Sequence, residues 1–169
     1  MSTAYVVLVK DEPMPIDEFR FRQVMGYFAS GVTVVTTEYG GQLYGMTVSS
    51  FCSLSLRPPL VLICVDTSVT CHDMIAKSGS FAVNILEKHQ EHLSRRFATR
   101  ELDKFVGVAF RTGQLGLPLL EGTLASIECR VREQYPGGDH TIFVGEVIDA
   151  DVGEGSPLLY YRRGYHELQ

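Results

Sequence analysis

The stretch from Leu124 to Tyr135 constrains the fold of this chain more than any other. Its apolar residues alternate with polar and charged ones, which is typical of a strand with one buried and one solvated face. The sequence PGGD at 136–139 predicts a turn, and Thr141 to Ala150 predicts a second strand. Because tight turns join antiparallel neighbours, whereas parallel strands need a crossover of about a dozen residues or more, this segment predicts an antiparallel hairpin.

A second hairpin is predicted near the amino terminus. Val32 to Glu38 is rich in β-branched residues, YGGQ at 39–42 supplies the turn, and Leu43 to Ser49 returns. Further apolar runs predict strands at residues 60–65, 81–86 and 158–161. Helices are predicted at residues 17–29, 70–77 and 88–98, and the first of these carries an apolar stripe made of Phe21, Val24, Met25 and Phe28.

The predicted fold is therefore mainly β, an antiparallel barrel with a few covering helices. A doubly wound sheet is disfavoured, because strands and helices do not alternate regularly and no G-x-G-x-x-G sequence follows a strand. The 169 residues are predicted to form a single domain, 1–169, with residues 1–16 expected to be an N-terminal arm. No linker or repeat divides the chain.

Composition excludes several classes of protein. A net charge of −5 argues against a sequence-independent nucleic-acid binder, which needs a basic face. No apolar run approaches the roughly 20 residues that span a bilayer, so no membrane association is expected. Four cysteines (Cys52, Cys64, Cys71 and Cys129) lack C-x-x-C spacing, and Cys52, Cys64 and Cys129 lie in apolar runs. They are interpreted as reduced core thiols of a cytoplasmic protein without a metal site.

The segment from Gly45 to Pro59 contains an unusual density of hydroxyl groups. The segment places Thr47, Ser49, Ser50, Ser53 and Ser55 between apolar residues, ahead of a double proline. Short hydroxyl side chains of this kind can donate hydrogen bonds to a ligand. By spacing alone, a ligand-binding wall and an edge strand with a Ser-rich turn are equally good interpretations.

Two other polar residues are candidates for a site. His140 follows the predicted turn and precedes an apolar strand, where it either faces a ligand at a barrel mouth or caps the turn together with Asp139. Asn84 lies within the apolar strand FAVNIL and must find hydrogen-bond partners if it is buried, either a ligand or a neighbouring loop. The cations beside aromatic rings at 95–97 and 162–165 suit phosphate recognition but also suit a solvated surface.

Five segments in order resemble the flavin reductase family, from about Phe19 to Leu168. They are ASGVTVVTT at 29–37, GMTVSSF at 45–51 with Ser53, Ser55, Pro58 and Pro59, FAVNIL at 81–86, GDH at 138–140 with GEV at 145–147, and PLLYYRRGY at 157–165. The resemblance implies an antiparallel Greek-key split barrel, the FMN-binding split barrel. It also implies an NAD(P)H:flavin oxidoreductase that serves as the reductase component of a two-component flavin monooxygenase.

The resemblance also implies residue roles. His140 lies by the nicotinamide side of the flavin and is the catalytic candidate. The flavin-binding candidates are Met46, Thr47, Val48, Ser49, Ser50, Ser53, Asp66, Ser68, Thr70, Ala82, Val83, Asn84, Arg163 and Tyr165. The family is usually a homodimer with the flavin near the subunit interface.

The implied cofactors are FMN or FAD, with NADH or NADPH as hydride donor, and the implied partner is an oxygenase component. Two other functions on the same barrel stay open. One is an FMN electron carrier that does not use nicotinamide, although the GDH sequence favours the enzyme. The other is binding of a different planar ligand, such as haem or a pyridoxal derivative, although the sequence lacks an obvious pair of haem ligands.

Overall fold

The computed structural model describes residues 14–101 and 103–168, so the first 13 residues of the predicted N-terminal arm lie outside the described residues. The helices are α1 (Glu18–Met25), α2 (Thr70–Ser78) and α3 (Glu91–Phe97), and a 3₁₀ turn (Lys88–Gln90) precedes α3. Asp17 caps α1 by accepting a hydrogen bond from the Arg20 N–H at 2.8 Å. Gly79 ends α2 in the left-handed conformation that favours glycine, with φ of 68°.

Twelve strands are present in the described part of the chain. They are β1 (Ser30–Gly31), β2 (Thr33–Tyr39), β3 (Gln42–Val48), β4 (Phe51–Leu56), β5 (Pro59–Asp66), β6 (Ser80–Ile85), β7 (Phe110–Thr112), β8 (Pro118–Leu120), β9 (Ala125–Gly137), β10 (His140–Val152), β11 (Leu159–Tyr161) and β12 (Gly164–His166). Seven of them form one antiparallel sheet in the order β3-β2-β6-β9-β10-β5-β4. The prediction of a mainly antiparallel β fold with a few helices is confirmed.

The two predicted hairpins are present with one adjustment. β9 and β10 are longer than predicted and continue to a two-residue turn, because Gly137 pairs directly with His140. Gly138 takes φ of 73° in this turn, a conformation that a residue with a Cβ rarely adopts. His140 is therefore the first residue of β10, where it also pairs with Asp66 at the end of β5.

The core consists of two main apolar clusters. One contains Ile63, Phe81 and Phe143 from the large sheet. The other contains Leu86, Phe97 and Leu158 and joins α3 to the sheet. These side chains are almost fully buried, so they account for much of the hydrophobic stabilisation of the fold.

The β7–β8 hairpin and its loop, residues 110–120, form a cap that packs on β2 and β6. Buried polar side chains hold the cap in place. The Thr36 hydroxyl donates to the Pro118 carbonyl at 2.6 Å, and the Asn84 carbonyl oxygen accepts from the Leu120 N–H at 2.8 Å. Because Thr36 and Asn84 are fully buried, these bonds replace the water that both groups lose on folding.

The cap has a second polar anchor at Glu128, which is only 1% exposed. Its carboxylate accepts hydrogen bonds from the N–H groups of Gln114 and Leu115, at 2.6 and 2.8 Å. Gly113 lies directly above the carboxylate, and a Cβ at this position would be 2.4 Å from the Glu128 carboxyl carbon. The loop can approach Glu128 this closely only because residue 113 is glycine.

Two sequence-based predictions are wrong in detail. The first helix ends at Met25 rather than near Ala29, so Phe28 lies beyond it. The apolar stripe predicted for this segment is exposed, with 73% of Phe28 accessible. The stripe has no partner within the described residues, so it does not join the core. Cys52 is exposed on β4, unlike the buried Cys71 and Cys129, because β4 is an edge strand with most of its residues facing outward.

Candidate functional site

One cavity of about 400 Å³ lies between β3, the start of α2 and the segment that follows α3. This volume is within the usual range for small-molecule sites. The lining residues come from three parts of the chain. They are residues 43–47, residues 68–71, and residues 97–101 together with 104 and 105. Among the predicted flavin-binding residues, the structure places Met46, Thr47, Ser68 and Thr70 in this lining.

The close packing of α3 on β3 shapes the apolar wall of the cavity. A Cβ at Gly45 would lie 2.6 Å from the Phe97 ring, so a larger residue would displace that ring. Phe97 in turn packs edge-on against Phe105 with ring centroids 5.1 Å apart. Two residues further along β3, the Thr47 hydroxyl donates to the Ser94 carbonyl at 2.6 Å and joins the same two elements.

Lys104 places a positive charge in the cavity. Its ammonium group donates to the Gly45 carbonyl at 3.0 Å and to the Phe97 carbonyl at 3.1 Å. An ammonium carries three N–H groups, so one remains for a ligand. Partial burial lowers the pKa of Lys104, and the nearby Cys71 and Glu101 oppose this shift.

The free edge of β3 offers backbone donors. β3 pairs only with β2 in the large sheet, and Lys104 reaches the Gly45 carbonyl on the side that β2 leaves open. Backbone groups of a strand alternate between its two sides, so the N–H of Thr47, two residues further on, faces the same side. Since the Thr47 hydroxyl already donates to Ser94, the backbone N–H is the Thr47 donor that this edge leaves available.

Asp66 organises the loop that leads into α2. Its carboxylate accepts a hydrogen bond from the Ser68 N–H at 2.7 Å, and its carbonyl accepts one from the Val69 N–H. The hydrogen bond from Ser68, with smaller electrostatic contributions from neighbouring groups such as Arg100, lowers the pKa of Asp66. Asp66 therefore shapes the loop that presents Ser68 and Thr70, while its own side chain lies outside the cavity lining.

His140 lies beside this loop rather than in the cavity. Its Nδ1 atom is 2.7 Å from the Asp139 carboxylate, and 40% of its side chain is exposed. The strand pairing of His140 with Asp66 places the imidazole next to the loop that carries Ser68. The bond to Asp139 agrees with the turn-capping interpretation of His140, and the ligand-facing role stays a prediction.

The remaining residues of the Ser-rich segment have mixed environments. Val48 is buried, whereas Ser49, Ser50 and Ser53 are exposed where the chain passes from β3 to β4. The Ser50 hydroxyl donates to the Cys64 carbonyl at 2.8 Å and joins this corner to β5. None of these four residues lies in the cavity lining.

Asn84 and its neighbours on β6 are elsewhere. Ala82, Val83 and Asn84 are all fully buried. The Asn84 amide donates to the Val34 carbonyl at 3.0 Å and accepts from Leu120 in the cap, so its polar groups already have protein partners. The structure does not bring these three side chains to the cavity.

Arg163 and Tyr165 also lie outside the cavity. The Tyr165 hydroxyl is 2.8 Å from the Ser94 hydroxyl, and the Arg95 guanidinium lies 5.0 Å from the centre of the tyrosine ring. Arg163, with φ of 66°, lines a separate hollow of about 200 Å³ beside α1, together with Arg22. Ser94 connects Tyr165 to the cavity, because its carbonyl accepts the Thr47 hydrogen bond.

Sequence reasoning missed Arg100, Lys104 and Phe105 as cavity residues, and it left the stretch with Phe97 open between phosphate recognition and a solvated surface. The mixture of aromatic and basic residues between 97 and 105 is the sequence feature that could have indicated a binding site there. These residues belong partly to an irregular segment, where neither helical nor strand periodicity indicates a buried face.

Comparison with known proteins identifies the class of protein. A family model described as "Flavin reductase like domain" matches residues 25–169. This chain belongs to the flavin reductase family. The predicted family, the split-barrel fold and the classification as an NAD(P)H-dependent oxidoreductase of flavin are confirmed.

Individual members of the flavin reductase family agree with this assignment. The chain is 46% identical over 148 residues to the reductase component of a 4-nitrophenol 4-monooxygenase/4-nitrocatechol 2-monooxygenase from Rhodococcus opacus, covering 88% of this chain and 80% of that protein. It is 41% identical over 149 residues to the reductase component of 4-hydroxyphenylacetate 3-monooxygenase from Thermus thermophilus, covering 88% and 95%. An NADH:FAD oxidoreductase from Streptomyces globisporus, solved with NAD and FAD fragments, superposes with a TM-score of 0.87 at 41% identity, covering 90% and 93%.

Two further observations concern metals and membranes. Within residues 14–101 and 103–168, no group of three or more His, Cys, Asp or Glu side chains is arranged to hold a metal ion. Over the same residues, no helix has the length and apolar character required to span a bilayer.

Proposed function

We propose that this flavin reductase transfers a hydride from NADH to FAD held in the cavity beside β3, and that the reduced flavin serves an oxygenase component. The observation that carries the proposal is the cavity itself. It combines the cations Arg100 and Lys104, the hydroxyls of Ser68 and Thr70 and the free edge of β3. The names of the relatives support NADH as donor, FAD as acceptor and an oxygenase as partner.

The residues present fit a flavin. Guanidinium and ammonium groups bind phosphate through charge-assisted hydrogen bonds, which suits Arg100 and Lys104. The apolar wall of Phe97 and Phe105 suits an aromatic ring system, and the Thr47 N–H can donate to its polar edge. A flavin bound there supplies the ring that accepts the hydride, and the protein supplies binding and orientation.

His140 has an orienting role in this proposal. The Asp139 carboxylate bonds to Nδ1 and fixes the imidazole, which leaves Nε2 available to the nicotinamide amide. Holding the donor and acceptor rings at near-contact distance supplies a large part of the rate of such a reaction. Hydride transfer itself needs no side-chain nucleophile, which agrees with the Thr47 and Ser50 hydroxyls being bonded to backbone carbonyls.

Anaerobic mixing of the purified chain with NADH and FAD tests the proposal. The visible absorbance of the flavin should bleach with saturation kinetics in both substrates, and parallel reactions with FMN and NADPH establish the preferred pair. Tight FAD binding without bleaching would contradict the proposed reaction and favour an electron carrier. Absence of flavin binding would contradict the assignment of the cavity.

We also propose that the chain is a homodimer in the cytoplasm. The exposed apolar stripe along α1 and the residues just after it supports an interface with a second copy, because Phe21, Val24, Met25 and Phe28 are each about half exposed or more in the single chain. The four free thiols support a reducing compartment. Analytical ultracentrifugation tests the dimer, and Phe28→Glu should shift the sedimenting species to the monomer, whereas a monomeric native chain would contradict it.

A further inference from the structure

The loop that borders the flavin cavity and the turn that carries His140 are hydrogen-bonded to each other. Both the N–H and the hydroxyl of Thr67 donate to the Asp139 carbonyl, at 3.0 and 3.1 Å. Thr67 lies between Asp66, which pairs with His140, and Ser68, which lines the cavity. The loop is therefore held directly to the residue next to His140 by two hydrogen bonds.

His72 provides a second connection, between the start of α2 and the beginning of β10. It follows Thr70 and Cys71, which line the cavity at the start of α2. Its Nδ1 atom is 2.9 Å from the Asp73 carboxylate, and its Nε2 atom is 2.9 Å from the Thr141 hydroxyl.

The His72 ring is held in a fixed orientation. It packs edge-on against Phe143, with ring centroids 5.4 Å apart, and its side chain is only 15% exposed. Together with its two hydrogen bonds, this packing makes the imidazole a rigid bridge between α2 and the first residues of β10. Thr141, which it contacts, is adjacent to His140 in the chain.

We infer that Thr67 and His72 are positioning residues that couple the binding of flavin to the binding of nicotinamide. This inference rests on the proposed function, in which the cavity holds flavin and His140 faces nicotinamide. A flavin that immobilises the segment 66–71 also orders the turn at 138–141 through these contacts, so nicotinamide meets a preorganised His140. Such coupling is reciprocal, so nicotinamide must tighten flavin binding by the same factor.

Isothermal titration calorimetry on the full chain measures this coupling. FAD is titrated in the absence and presence of saturating NAD⁺, which cannot donate a hydride. The native chain should bind FAD at least about fivefold more tightly with NAD⁺, the lower end of typical coupling factors. Thr141→Val, which removes the hydroxyl bonded to His72 while keeping the side-chain shape, should lower this ratio, although the two Thr67 hydrogen bonds remain.

Matched variants distinguish a loss of coupling from a general loss of FAD binding. Thr141→Val should change the FAD dissociation constant without NAD⁺ by less than about twofold, and Thr141→Ser, which keeps the hydroxyl, should retain the native ratio. Thr67→Val should lower the ratio partly, because the Thr67 N–H bond remains. A general structural role would instead weaken FAD binding equally with and without NAD⁺.

Failure of the inference is distinguishable from failure of the proposed function. A native ratio of one, or a native ratio that persists in Thr141→Val, in a chain that reduces FAD with NADH would overturn the coupling alone. A native chain that binds no FAD, or that binds FAD and never oxidises NADH, would overturn the proposed function on which the coupling depends.

Discussion

The cap and the cavity use polar groups in opposite ways. Beneath the cap, Thr36, Asn84 and Glu128 are almost fully buried, and each bonds to a backbone group of the cap. In the cavity, Arg100 is exposed and Lys104 keeps one N–H beyond its two backbone partners. The difference shows that a polar residue in an apolar strand is not by itself a sign of ligand binding.

The reason is the cost of burying polar atoms. A buried amide without a partner costs about 1–3 kcal/mol, so evolution of a stable fold requires that groups such as the Asn84 amide be paired within the protein. A group on a cavity wall can be solvated until a ligand replaces the water. Variants of the two regions should therefore have separable effects on stability and on binding.

The largest effect is expected beneath the cap. Asn84→Ala removes the acceptor for the Leu120 N–H and the donor to the Val34 carbonyl. Leaving these groups unpaired should lower the free energy of unfolding by about 3 kcal/mol. At about 2–4 °C per kcal/mol, the melting temperature of the flavin-free chain should fall by about 6–12 °C, measured by calorimetry.

The control for this variant is Gln134→Ala, which removes an exposed amide from β9 and should change the melting temperature little. The FAD dissociation constant of folded Asn84→Ala should stay within about twofold of the native value. A stable Asn84→Ala variant with strongly weakened FAD binding would show instead that Asn84 acts on the ligand, as the family resemblance implies.

The next effect is expected in the cavity. Lys104→Met removes the positive charge while keeping much of the apolar stem, and it should raise the FAD dissociation constant about 10- to 100-fold, the equivalent of one charge-assisted hydrogen bond. Fluorescence titration measures this change. Lys77→Met makes the same charge change at an exposed site near the end of α2 and should leave affinity unchanged. Equal FAD affinities for the two variants would show that Lys104 does not contribute to flavin binding.

A kinetic effect is expected at His140. His140→Asn should lower kcat/KM for NADH about tenfold or more, because a misplaced nicotinamide reacts more slowly. The FAD dissociation constant measured without nicotinamide should be nearly unchanged. Stopped-flow measurement of flavin bleaching gives the rate, with His92→Asn as the exposed control on α3. Unchanged rate and KM in His140→Asn would exclude the orienting role.

The smallest effect concerns pH. Burial lowers the pKa of Lys104, so its charge is lost at a lower pH than for an ordinary lysine. FAD affinity should therefore decline as the pH rises through this lowered pKa, and Lys104→Arg, which stays charged, should abolish the decline.

The lowered pKa of Lys104 affects folding stability in the opposite direction from FAD affinity. The unfolded chain binds the Lys104 proton more tightly than the folded chain does, so stability of the flavin-free chain should increase with pH between the two pKa values. Titration of FAD binding and thermal unfolding over the alkaline range measure both trends. An affinity that falls only near the pKa of an ordinary lysine would contradict this assignment.

The sequence predicted the barrel well because strand patterns are local. The alternation in β9 and the glycines of the two hairpin turns indicate pairing between neighbours in the chain. The cap was not predicted, because β7 and β8 are only three residues long and owe their position to distant contacts such as Thr36 with Pro118.

The candidate site was predicted only in part for the same reason. Met46, Thr47, Ser68 and Thr70 belong to recognisable segments, whereas Arg100 and Lys104 reach the cavity because α3 packs on Gly45. The exposure of the α1 stripe was also beyond prediction, since the 3.6-residue period shows that a helix has an apolar face but does not identify what covers that face.

A crystal structure of the chain with bound FAD tests the central claim most directly. The flavin ring should lie against β3 at Gly45 to Thr47, with phosphate oxygens within hydrogen-bond distance of Arg100 or Lys104 and of Ser68 or Thr70. A flavin in the hollow beside α1, in contact with Arg22 and Arg163, would contradict the account.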